Sequence, residues 1–385
     1  MKSSETIIEK IKLGYIVLQR FVLRITFLIP MKKNRVIFES FSGDGYNCNP
    51  KYISQSLIKK YGNRIEVVWA LKDEKLLPEG ALFTRYRSLD HLIKRITSKV
   101  YVCNFLQAVE IPKRKGQVEI QTWHGGGCYK KVGSEEKARG GAYIIRRKLH
   151  VNETDYFIAS SKFFEDRVIR KQLAYKGNVL SIGMPRNDCL FGKLDKNRIN
   201  EIRDRAGIDR DVYAVLYAPT WREGLDKYDA LDYELIAQAF SKRFNKKALM
   251  IFRAHLYGKE KAENVLDLTS YPDMQELLYA CDALITDYSS SMWDFSITGK
   301  PCLLYTPDLD RYIEQRGFDK DIYSWGFPVC KTNSQMYETI IGFNEKEFIL
   351  LMDKHQKDLG SYEKGNATEQ VVGLIASLCG IEASR

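Results

Sequence analysis

Short apolar runs rich in valine and isoleucine alternate with amphipathic helical patterns from residue 35 onward, and the alternation restarts near residue 211. Such strand–helix alternation is typical of βαβ units, whose strands form a parallel sheet. The sequence therefore predicts an α/β protein with two facing Rossmann-like domains and a cleft between them. Ligands of such sheets bind at the carboxyl ends of the strands.

The pattern divides the chain into four segments. Residues 35–187 form the predicted N-terminal Rossmann-like domain, and residues 188–355 form the C-terminal one. Residues 1–34 precede the first strand, and residues 356–385 contain a final helix that we expect to pack back across the domains. A length of 385 residues agrees with two domains of ordinary α/β size.

Residues 7–29 are rich in Ile, Leu, Val and Phe but are interrupted by charged side chains. Arg20 and Arg24 break the apolar run, which disfavours both a membrane-spanning helix and a secretory signal. A basic amphipathic helix that lies in a membrane interface fits this pattern better. An ordinary helix docked on the first domain is the alternative.

The bulk composition excludes several classes of protein. With 44% hydrophobic and 28% charged residues, the chain is typical of folded globular proteins rather than disordered ones. Its eight cysteines include no CxxC pair and no compact His/Cys cluster, which argues against a zinc site or a disulfide framework. The net charge of +11 predicts attraction to an anionic partner, such as nucleic acid, an acidic membrane or a phosphorylated substrate.

The stretch QTWHGGGCYKKVG, residues 121–133, places His124 and Gly125 directly after a predicted strand. An esterase oxyanion loop would require a G-x-S-x-G nucleophile elbow, and a Walker loop would require G-x-x-x-x-G-K-[ST]; the sequence contains neither. Glycines here allow a ligand to approach the backbone closely, and histidine is a suitable general base at neutral pH. A structural histidine is the alternative.

Two further motifs follow predicted strands in the second half. In FRAH, Arg253 and His255 would share one face if the strand continued through them, and two cations on one face suit a diphosphate. In LITDYSSSMWDF, Asp287 ends a buried strand, and Ser289 and Ser290 are placed to cap the next helix. The free N–H groups at the start of that helix can also bind an anion. Capping of the helix alone is the alternative.

Smaller motifs agree with phosphate chemistry carried out by protein cations. APTWRE places Thr220 and Arg222 after a strand, and GMPRND does the same for residues 186–188. PDLDRYIEQRGF, residues 307–318, is predicted to be a carboxylate-rich loop that ends at Arg316.

Taken together, these motifs resemble the CDP-glycerol glycerophosphotransferase family, the teichoic-acid primases and polymerases of Gram-positive bacteria. The motifs run in the family's order over residues 35–320 and comprise QTWHG with KKVG, GMPRND, APTWRE, FRAH, LITDYSSSMWDF, and KPCLLYTPDLDRY with RGF. The resemblance implies a GT-B fold and transfer of glycerol phosphate from CDP-glycerol to an acceptor hydroxyl, with release of CMP. The N-terminal domain would hold the acceptor, and the C-terminal domain would hold the CDP-polyol.

The resemblance also implies residue roles. His124 would be the base on the acceptor hydroxyl, and His255 would be the second catalytic residue. Lys130 and Lys131 would lie near phosphate or lipid headgroups on the acceptor side. The predicted substrate-binding residues are Gly125, Thr220, Arg222, Arg253, Asp287, Ser289, Ser290 and Arg316.

Partners follow from the same resemblance. The donor would be CDP-glycerol or CDP-ribitol, and the acceptor an undecaprenyl-diphosphate-linked glycan or a growing teichoic-acid or capsule-type polymer. The protein would lie on the cytoplasmic face of a bacterial membrane, held peripherally at its anionic surface, without nucleic acid. We expect no protein metal site and no obligatory cofactor, with Mg²⁺ as an optional aid to the leaving group.

One departure and two alternatives remain. The family's usual WHG-Thr-Pro-Leu-Lys-Lys is replaced here by a loop one residue longer, Gly126 to Tyr129. This difference bears on how the acceptor fits and on which CDP-polyol is the donor. A GT-B sugar transferase that uses a nucleotide sugar is one alternative. A non-catalytic basic protein that binds membrane surfaces is the other.

Overall fold

The computed structural model describes residues 14–106, 110–127, 129–132, 135, 141–220, 230–254 and 265–381. His255 and Arg222, both predicted site residues, lie outside the described residues, as do residues 7–13 of the predicted amphipathic helix. The described chain forms two compact units. One contains the chain up to His124, Val132–Asp188 and the chain from Tyr362 onward; the other contains Gly125–Lys131 and Cys189–Ser361.

The first unit is built on a seven-stranded sheet. Its order is β3-β2-β1-β4-β5-β6-β7, and neighbouring strands are parallel. The direction of strand addition reverses between β1 and β4, which makes their carboxyl ends a topological switch point. The strands are β1 (Lys32–Glu39), β2 (Glu66–Leu71), β3 (Leu82–Arg85), β4 (Ser98–Cys103), β5 (Val118–Gln121), β6 (Tyr156–Ala159) and β7 (Asn178–Ser181).

Helices cover both faces of this sheet. A helix at residues 14–23, here α1, leads through a 3-10 turn at Arg24–Leu28 into β1. The remaining helices are α2 (Cys48–Tyr61), α3 (Leu89–Thr97), α4 (Gly141–Glu153), α5 (Lys162–Phe164, continued as a π-helix over Glu165–Gln172) and α13 (Ala367–Leu378). Helix α13 packs on α2, so the C-terminal segment belongs to the first unit.

The second unit repeats the plan with six parallel strands in the order β10-β9-β8-β11-β12-β13. Its switch point lies between β8 and β11. The strands are β8 (Tyr213–Tyr217), β9 (Ala248–Phe252), β10 (Leu266–Asp267), β11 (Ala283–Thr286), β12 (Cys302–Tyr305) and β13 (Val329–Cys330). The helices are α6 (Lys196–Ala206), α7 (Tyr233–Phe244), α8 (Met274–Ala280), α9 (Ser291–Ser296), α10 (Leu309–Gln315), α11 (Asn333–Ile341) and α12 (Glu345–Leu359).

Period-2 alternation along the strands builds each core. In the first sheet Ile37, Tyr101 and Cys103 are buried together on one face. In the second sheet the side chains of Val215 and Ile285 pack under α7 and α11, with Phe240 fully buried between. These rigid sheets fix where each strand ends and hence where each following loop begins.

Two predictions about local structure are wrong. Residues 307–318 are not a loop, because Leu309 and Tyr312 are buried at helical spacing and form α10. Strand β9 ends at Phe252, so Arg253 lies beyond the strand rather than on its face. In the part of the chain that the structure describes, no helix is both long and apolar enough to cross a membrane.

Candidate active site

His124 follows β5 of the first unit, at the carboxyl edge of the sheet. Strand β5 ends at Gln121, and Trp123 takes a left-handed backbone conformation with φ of 55° before His124. Residues other than glycine rarely adopt such a φ, and where they do the surrounding contacts must hold them there. A side chain placed in this way, at a strand end and on a strained turn, suggests a functional site.

The His124 ring has a defined tautomer. Its Nδ1 lies 2.9 Å from the backbone carbonyl oxygen of Asn104, directly after β4. A carbonyl oxygen only accepts hydrogen bonds, so Nδ1 carries the proton and donates it. The lone pair therefore resides on Nε2, which is the arrangement that a general base needs.

Aromatic rings surround the imidazole. The ring centroids of Phe41 and Phe105 lie 5.5 and 5.8 Å from that of His124, and Trp123 stacks on it at 5.0 Å. These contacts restrict the rotation of the ring, so its two nitrogens keep their orientation.

Two buried polar residues hold the backbone around His124. The Asn49 amide nitrogen donates to the carbonyl oxygens of Thr122 and Trp123, each at 3.1 Å. The Arg186 guanidinium donates to the carbonyl oxygen of His124 itself at 2.7 Å. The sequence pointed to neither Asn49 nor Asn104 and suggested phosphate binding for Arg186, whereas the Arg186 guanidinium contacts the peptide of His124.

The rest of the GMPRND motif secures the C-terminal segment. The Asn187 side chain donates to Glu363, and the Asp188 carboxylate accepts from the backbone N–H groups of Ala367 and Thr368 at the start of α13. This motif is therefore a structural junction within the first unit.

In the second unit, Thr220 and Asp287 meet at the switch point. Thr220 follows β8 and Asp287 follows β11. The Thr220 backbone N–H lies 3.0 and 2.9 Å from the two carboxylate oxygens of Asp287, and its hydroxyl donates to one of them at 2.6 Å. The carboxylate thus fixes the loop that begins with Thr220.

Lys130 joins this pair. Its Nζ lies 3.4 Å from the Thr220 hydroxyl oxygen, and its backbone forms an isolated antiparallel bridge with Phe318. The structure places Lys130 and Lys131 in the second unit, and Lys131 lies against Gly317, next to Arg316. Arg316, an exposed residue, directly follows α10.

The glycines of the WHGGG loop have a packing role. A Cβ placed on Gly127 would lie 2.3 Å from Cγ of Trp293, far inside van der Waals contact. Two residues later, the buried Tyr129 ring lies 4.7 Å from Trp293 and 4.8 Å from Trp325, centroid to centroid. The loop is anchored in an aromatic cluster of the second unit, and this anchoring sets the position of Lys130.

Arg253 is the strongest candidate for an anion ligand near the carboxyl end of β9. Its Nη1 is buried and has no hydrogen-bond partner among the described residues. Burial lowers the pKa of Arg253 to about 10, while Asp273 and Tyr271 act in the opposite direction. The guanidinium is still charged at neutral pH, and a bound anion would supply the missing partner.

Ser289 and Ser290 lie between β11 and α9. Ser289 Oγ accepts from the backbone N–H of Ser291 at 3.3 Å. Ser290 is the N-cap residue of α9, but its side chain forms no capping hydrogen bond within the described residues. The two hydroxyls are half-buried next to Asp287 in the chain.

The structure also brings together three potential metal ligands that sequence spacing did not reveal. Side-chain atoms of Cys103, Glu119 and His150, all buried, lie within 4.8 Å of one another. Glu119 already accepts from His150 at 2.7 Å and lies 3.5 Å from the Arg95 guanidinium. Burial alone would raise the pKa of Glu119, but the interactions with His150 and Arg95 outweigh the effect of burial, so the pKa lies below its ordinary value. Protein groups thus balance this carboxylate, so we treat the cluster as a polar network of the core.

The family model of CDP-glycerol:poly(glycerophosphate) glycerophosphotransferases matches residues 21–377. A teichoic acid poly(glycerol phosphate) polymerase of Bacillus spizizenii is 29% identical, with 91% of this chain and 94% of that protein covered. A teichoic acid ribitol-phosphate primase of the same organism is 26% identical over 91% and 92% of the two chains. The chain spans about half of the longer Bacillus subtilis polymerase, 49% of its length.

Among solved structures, the wall teichoic acid polymerase TagF matches with a TM-score of 0.82 and 24% identity, over 98% of this chain and 97% of that one. This likeness confirms the α/β fold of the GT-B type. The family model matches most of the sequence, including every motif described above. The chain therefore belongs to the CDP-glycerol:poly(glycerophosphate) glycerophosphotransferase family and is an enzyme of the class that its motifs predict.

Proposed function

We propose that the protein transfers glycerol phosphate from CDP-glycerol to a hydroxyl group of a lipid-linked glycan or a growing teichoic-acid or capsule-type polymer, and releases CMP. The observation that carries the proposal is the fixed tautomer of His124, whose Nδ1 donates to the Asn104 carbonyl. This tautomer puts the lone pair of the neutral ring on Nε2, at the carboxyl edge of the first sheet, and we assign the deprotonation of the acceptor hydroxyl to this nitrogen.

In the proposed reaction, Nε2 of His124 takes the proton from the acceptor hydroxyl. The acceptor oxygen forms a bond to the β-phosphorus of CDP-glycerol, and the bond between that phosphorus and the bridging oxygen breaks. The bridging oxygen and its electron pair leave with CMP. Charge on the transferring phosphoryl group is neutralised by positioned cations, as in other phosphoryl transfers.

We assign donor binding to the second unit. Arg253 supplies a buried guanidinium with an unused N–H, and Lys130 supplies an ammonium beside the Thr220 loop. Ser289 and Ser290 offer hydroxyl donors after the neighbouring strand β11. These groups lie on the loops at and next to the β8/β11 switch point, where sheets of this topology bind nucleotides.

We further propose that these protein cations make a resident metal ion unnecessary, with Mg²⁺ only an optional aid to the leaving CMP. His255, Arg222 and Arg316 belong to the same proposed donor site by their motifs.

Association with an anionic membrane, on its cytoplasmic face, is also part of the proposal. On the helix at 14–23 only Ile16 is buried among the large apolar residues, while Leu18 and Phe21 are exposed by 61% and 69%. Ile25 and Leu28, in the following turn, are exposed by 70% and 84%. Apolar side chains exposed in a contiguous group next to basic ones are typical of a surface that binds a lipid interface.

The donor assay tests the chemistry. Purified protein is incubated with a lipid-linked saccharide acceptor and CDP-glycerol, CDP-ribitol or a panel of nucleotide sugars. We expect CMP release with CDP-glycerol. UDP release from a nucleotide sugar, or no turnover with either CDP-polyol, would contradict the proposal.

CDP-ribitol is the second candidate donor, because the ribitol-phosphate primase matches with nearly the same identity and coverage as the glycerol-phosphate polymerase. The ratio of kcat/KM values for CDP-glycerol and CDP-ribitol decides between them.

Vesicle binding tests the membrane proposal separately. We expect binding to vesicles with anionic lipids that weakens as salt rises, and that is lost when residues 1–30 are removed. Binding that does not respond to salt, or that survives the deletion, would exclude this surface.

A further inference from the structure

A cavity of about 570 Å³ opens in the first unit next to the β1/β4 switch point, and the proposed reaction does not use it. Its polar lining comes from Glu39 at the end of β1, from Tyr86, His91 and Arg95 on and before α3, and from Glu110. Phe41, two residues after Glu39, contacts the His124 ring. The cavity therefore lies at the same carboxyl edge of the sheet as the proposed base.

Two buried N–H groups in this lining have no hydrogen-bond partner in the part of the chain that the structure describes. The side chain of His91 is 3% exposed, and its Nδ1 accepts from the backbone N–H of Arg87 at 3.1 Å. The proton of the neutral ring is therefore on Nε2, which has no hydrogen-bond partner among the described residues. Nη1 of Arg95, on a side chain 2% exposed, is in the same situation within the described chain. Buried donors are normally satisfied, so these two indicate a missing ligand.

Acceptors lie beside these donors. The Glu39 carboxylate accepts from the Tyr101 hydroxyl at 3.1 Å and lies 3.9 Å from His91 Nε2, too far for a hydrogen bond. Glu110 pairs with Arg146 and lies 4.0 Å from Arg87. The cavity thus offers both donors and acceptors within reach of one small molecule.

The lining does not favour a polyanion. Glu39 and Glu110 lie in it beside Arg87 and Arg95, burial raises the pKa of Glu39, and burial lowers the pKa of His91 to about 4, so the His91 ring is neutral at pH 7. A phosphate chain would place negative charge next to the Glu39 and Glu110 side chains. A ligand hydroxyl group can donate to a carboxylate and accept from an N–H group at the same time, and it adds no charge to the cavity.

The rim of the cavity is apolar. Leu23 of the N-terminal helix, together with Leu89 and Leu92 of α3, lines its wall, and Leu89 is exposed by 78%. Arg87, at the start of this wall, has a left-handed φ of 65°, a strained backbone conformation of the kind often found beside ligand sites. The rim continues into the exposed apolar side chains proposed to meet the membrane.

We propose that this cavity binds a neutral sugar ring of an amphiphilic glycoside, whose alkyl chain runs along Leu23 and Leu89. The assignment rests on the proposed function in one respect: the sugar is taken to belong to the lipid-linked acceptor. Binding of the glycoside itself requires no donor and no turnover.

Calorimetric titration without CDP-glycerol tests the cavity directly. The probes are octyl glucoside below its micelle concentration, octyl triethylene glycol with the same chain but no sugar, and sn-glycerol 3-phosphate. We expect octyl glucoside to bind and the other two not to bind. Equal binding of octyl triethylene glycol would mean simple apolar adsorption and would overturn the proposal.

Variants assign the binding to named atoms. His91→Phe removes the Nε2 donor, and Glu39→Gln changes the acceptor; each should weaken octyl glucoside binding by roughly tenfold. Leu92→Trp should block the cavity without removing a polar group. Lys94→Met is the matched control, because Lys94 lies on α3 but does not line the cavity. Wild-type affinity in both His91→Phe and Leu92→Trp, with folding verified by circular dichroism, would exclude this site.

Kinetics then link the cavity to the acceptor. In His91→Phe, KM for a lipid-linked saccharide acceptor should rise about tenfold, while KM for CDP-glycerol should stay unchanged. An unchanged acceptor KM, in an enzyme that does release CMP, would refute the acceptor assignment. Absence of CMP release in the wild type would instead refute the proposed function and leave the titration result standing.

Discussion

The two sheets share one strand order but use their switch points differently. In the first unit, a backbone carbonyl accepts from His124 Nδ1, which puts the lone pair of the neutral ring on Nε2. In the second unit, the Asp287 carboxylate directs both of its oxygens at the backbone and hydroxyl of Thr220. The same topology therefore holds a histidine of defined tautomer after a strand of one unit and a loop fixed by a carboxylate in the other.

The difference follows from what surrounds each strand end. His124 lies among aromatic rings, with Asn49 and Arg186 holding the peptides on either side of it. Thr220 lies between an anion and the Lys130 ammonium. Changes around His124 should accordingly lower kcat, and changes around Thr220 should raise KM for the donor.

Replacement of the base should have the largest effect. In His124→Ala we expect transfer to fall by about 10³-fold or more, because general base catalysis typically contributes about 10²–10⁴-fold. The fold should persist, since the imidazole is half-buried and follows the sheet rather than forming part of it. The rate of CMP release and the thermal unfolding temperature measure the two effects. Turnover near that of the wild type would refute the role of His124.

The positioning residues should separate the two units kinetically. Arg186→Met removes the hydrogen bond to the His124 carbonyl, so kcat should drop by roughly 10²-fold through misplacement of the base. Asp287→Asn weakens the hold on Thr220, so KM for CDP-glycerol should rise about tenfold with a smaller change in kcat.

Arg186→Lys is the conservative variant for that test, and partial rescue of kcat is expected because lysine keeps one donor. If both Arg186→Met and Asp287→Asn changed only KM, the assignment of kcat effects to the surroundings of His124 and of KM effects to those of Thr220 would be wrong.

The glycine loop should show a smaller effect through packing. In Gly127→Ala the new methyl group clashes with Trp293, which should cost about 1–3 kcal/mol in the free energy of unfolding. Displacement of Lys130 should raise KM for the donor a few-fold. Gly373→Ala is the matched control, because Gly373 lies within α13 and a methyl group added there would have no heavy atom within 4 Å. It should be neutral or stabilising by up to about 1 kcal/mol. Equal unfolding free energies for the two variants would argue against the tight contact.

These residues also show what the sequence could and could not predict. The positions of His124, Thr220 and Asp287 after buried strands were predicted, because a strand is recognisable from its own residues. Asn49 and Asn104 were missed because only the tertiary fold brings α2 and the end of β4 beside the loop that follows β5. The sequence also could not show that Lys130 belongs to the second unit, since it follows a strand of the first.

Element assignment failed where local composition misleads. Charged residues in 307–318 suggested a loop, although the spacing of Leu309 and Tyr312 satisfies a helix. The edge strands β3, β10 and β13 went unpredicted because two to four residues carry too little periodicity to be recognised. Similarly, Cys103, Glu119 and His150 come together only through the sheet, so spacing gave no sign of their network.

The smallest effect that we predict concerns acid stability, and it compares one buried histidine from each unit. Burial lowers the pKa of His91 to about 4 and that of His355 to about 3, against an ordinary value of 6.5. The unfolded chain therefore binds more protons than the folded one below pH 6.5, so stability is full above that pH and falls as the pH decreases toward 4. At pH 5.5 each histidine should already cost about 1 kcal/mol relative to pH 7.5. Urea unfolding at the two pH values should show a smaller difference in His91→Phe and in His355→Phe than in the wild type. If the two variants reduce this difference in unfolding free energy equally, both units unfold in one transition. A reduction confined to one variant would show that the units unfold separately. No reduction in either variant would mean that neither histidine is buried in its neutral form.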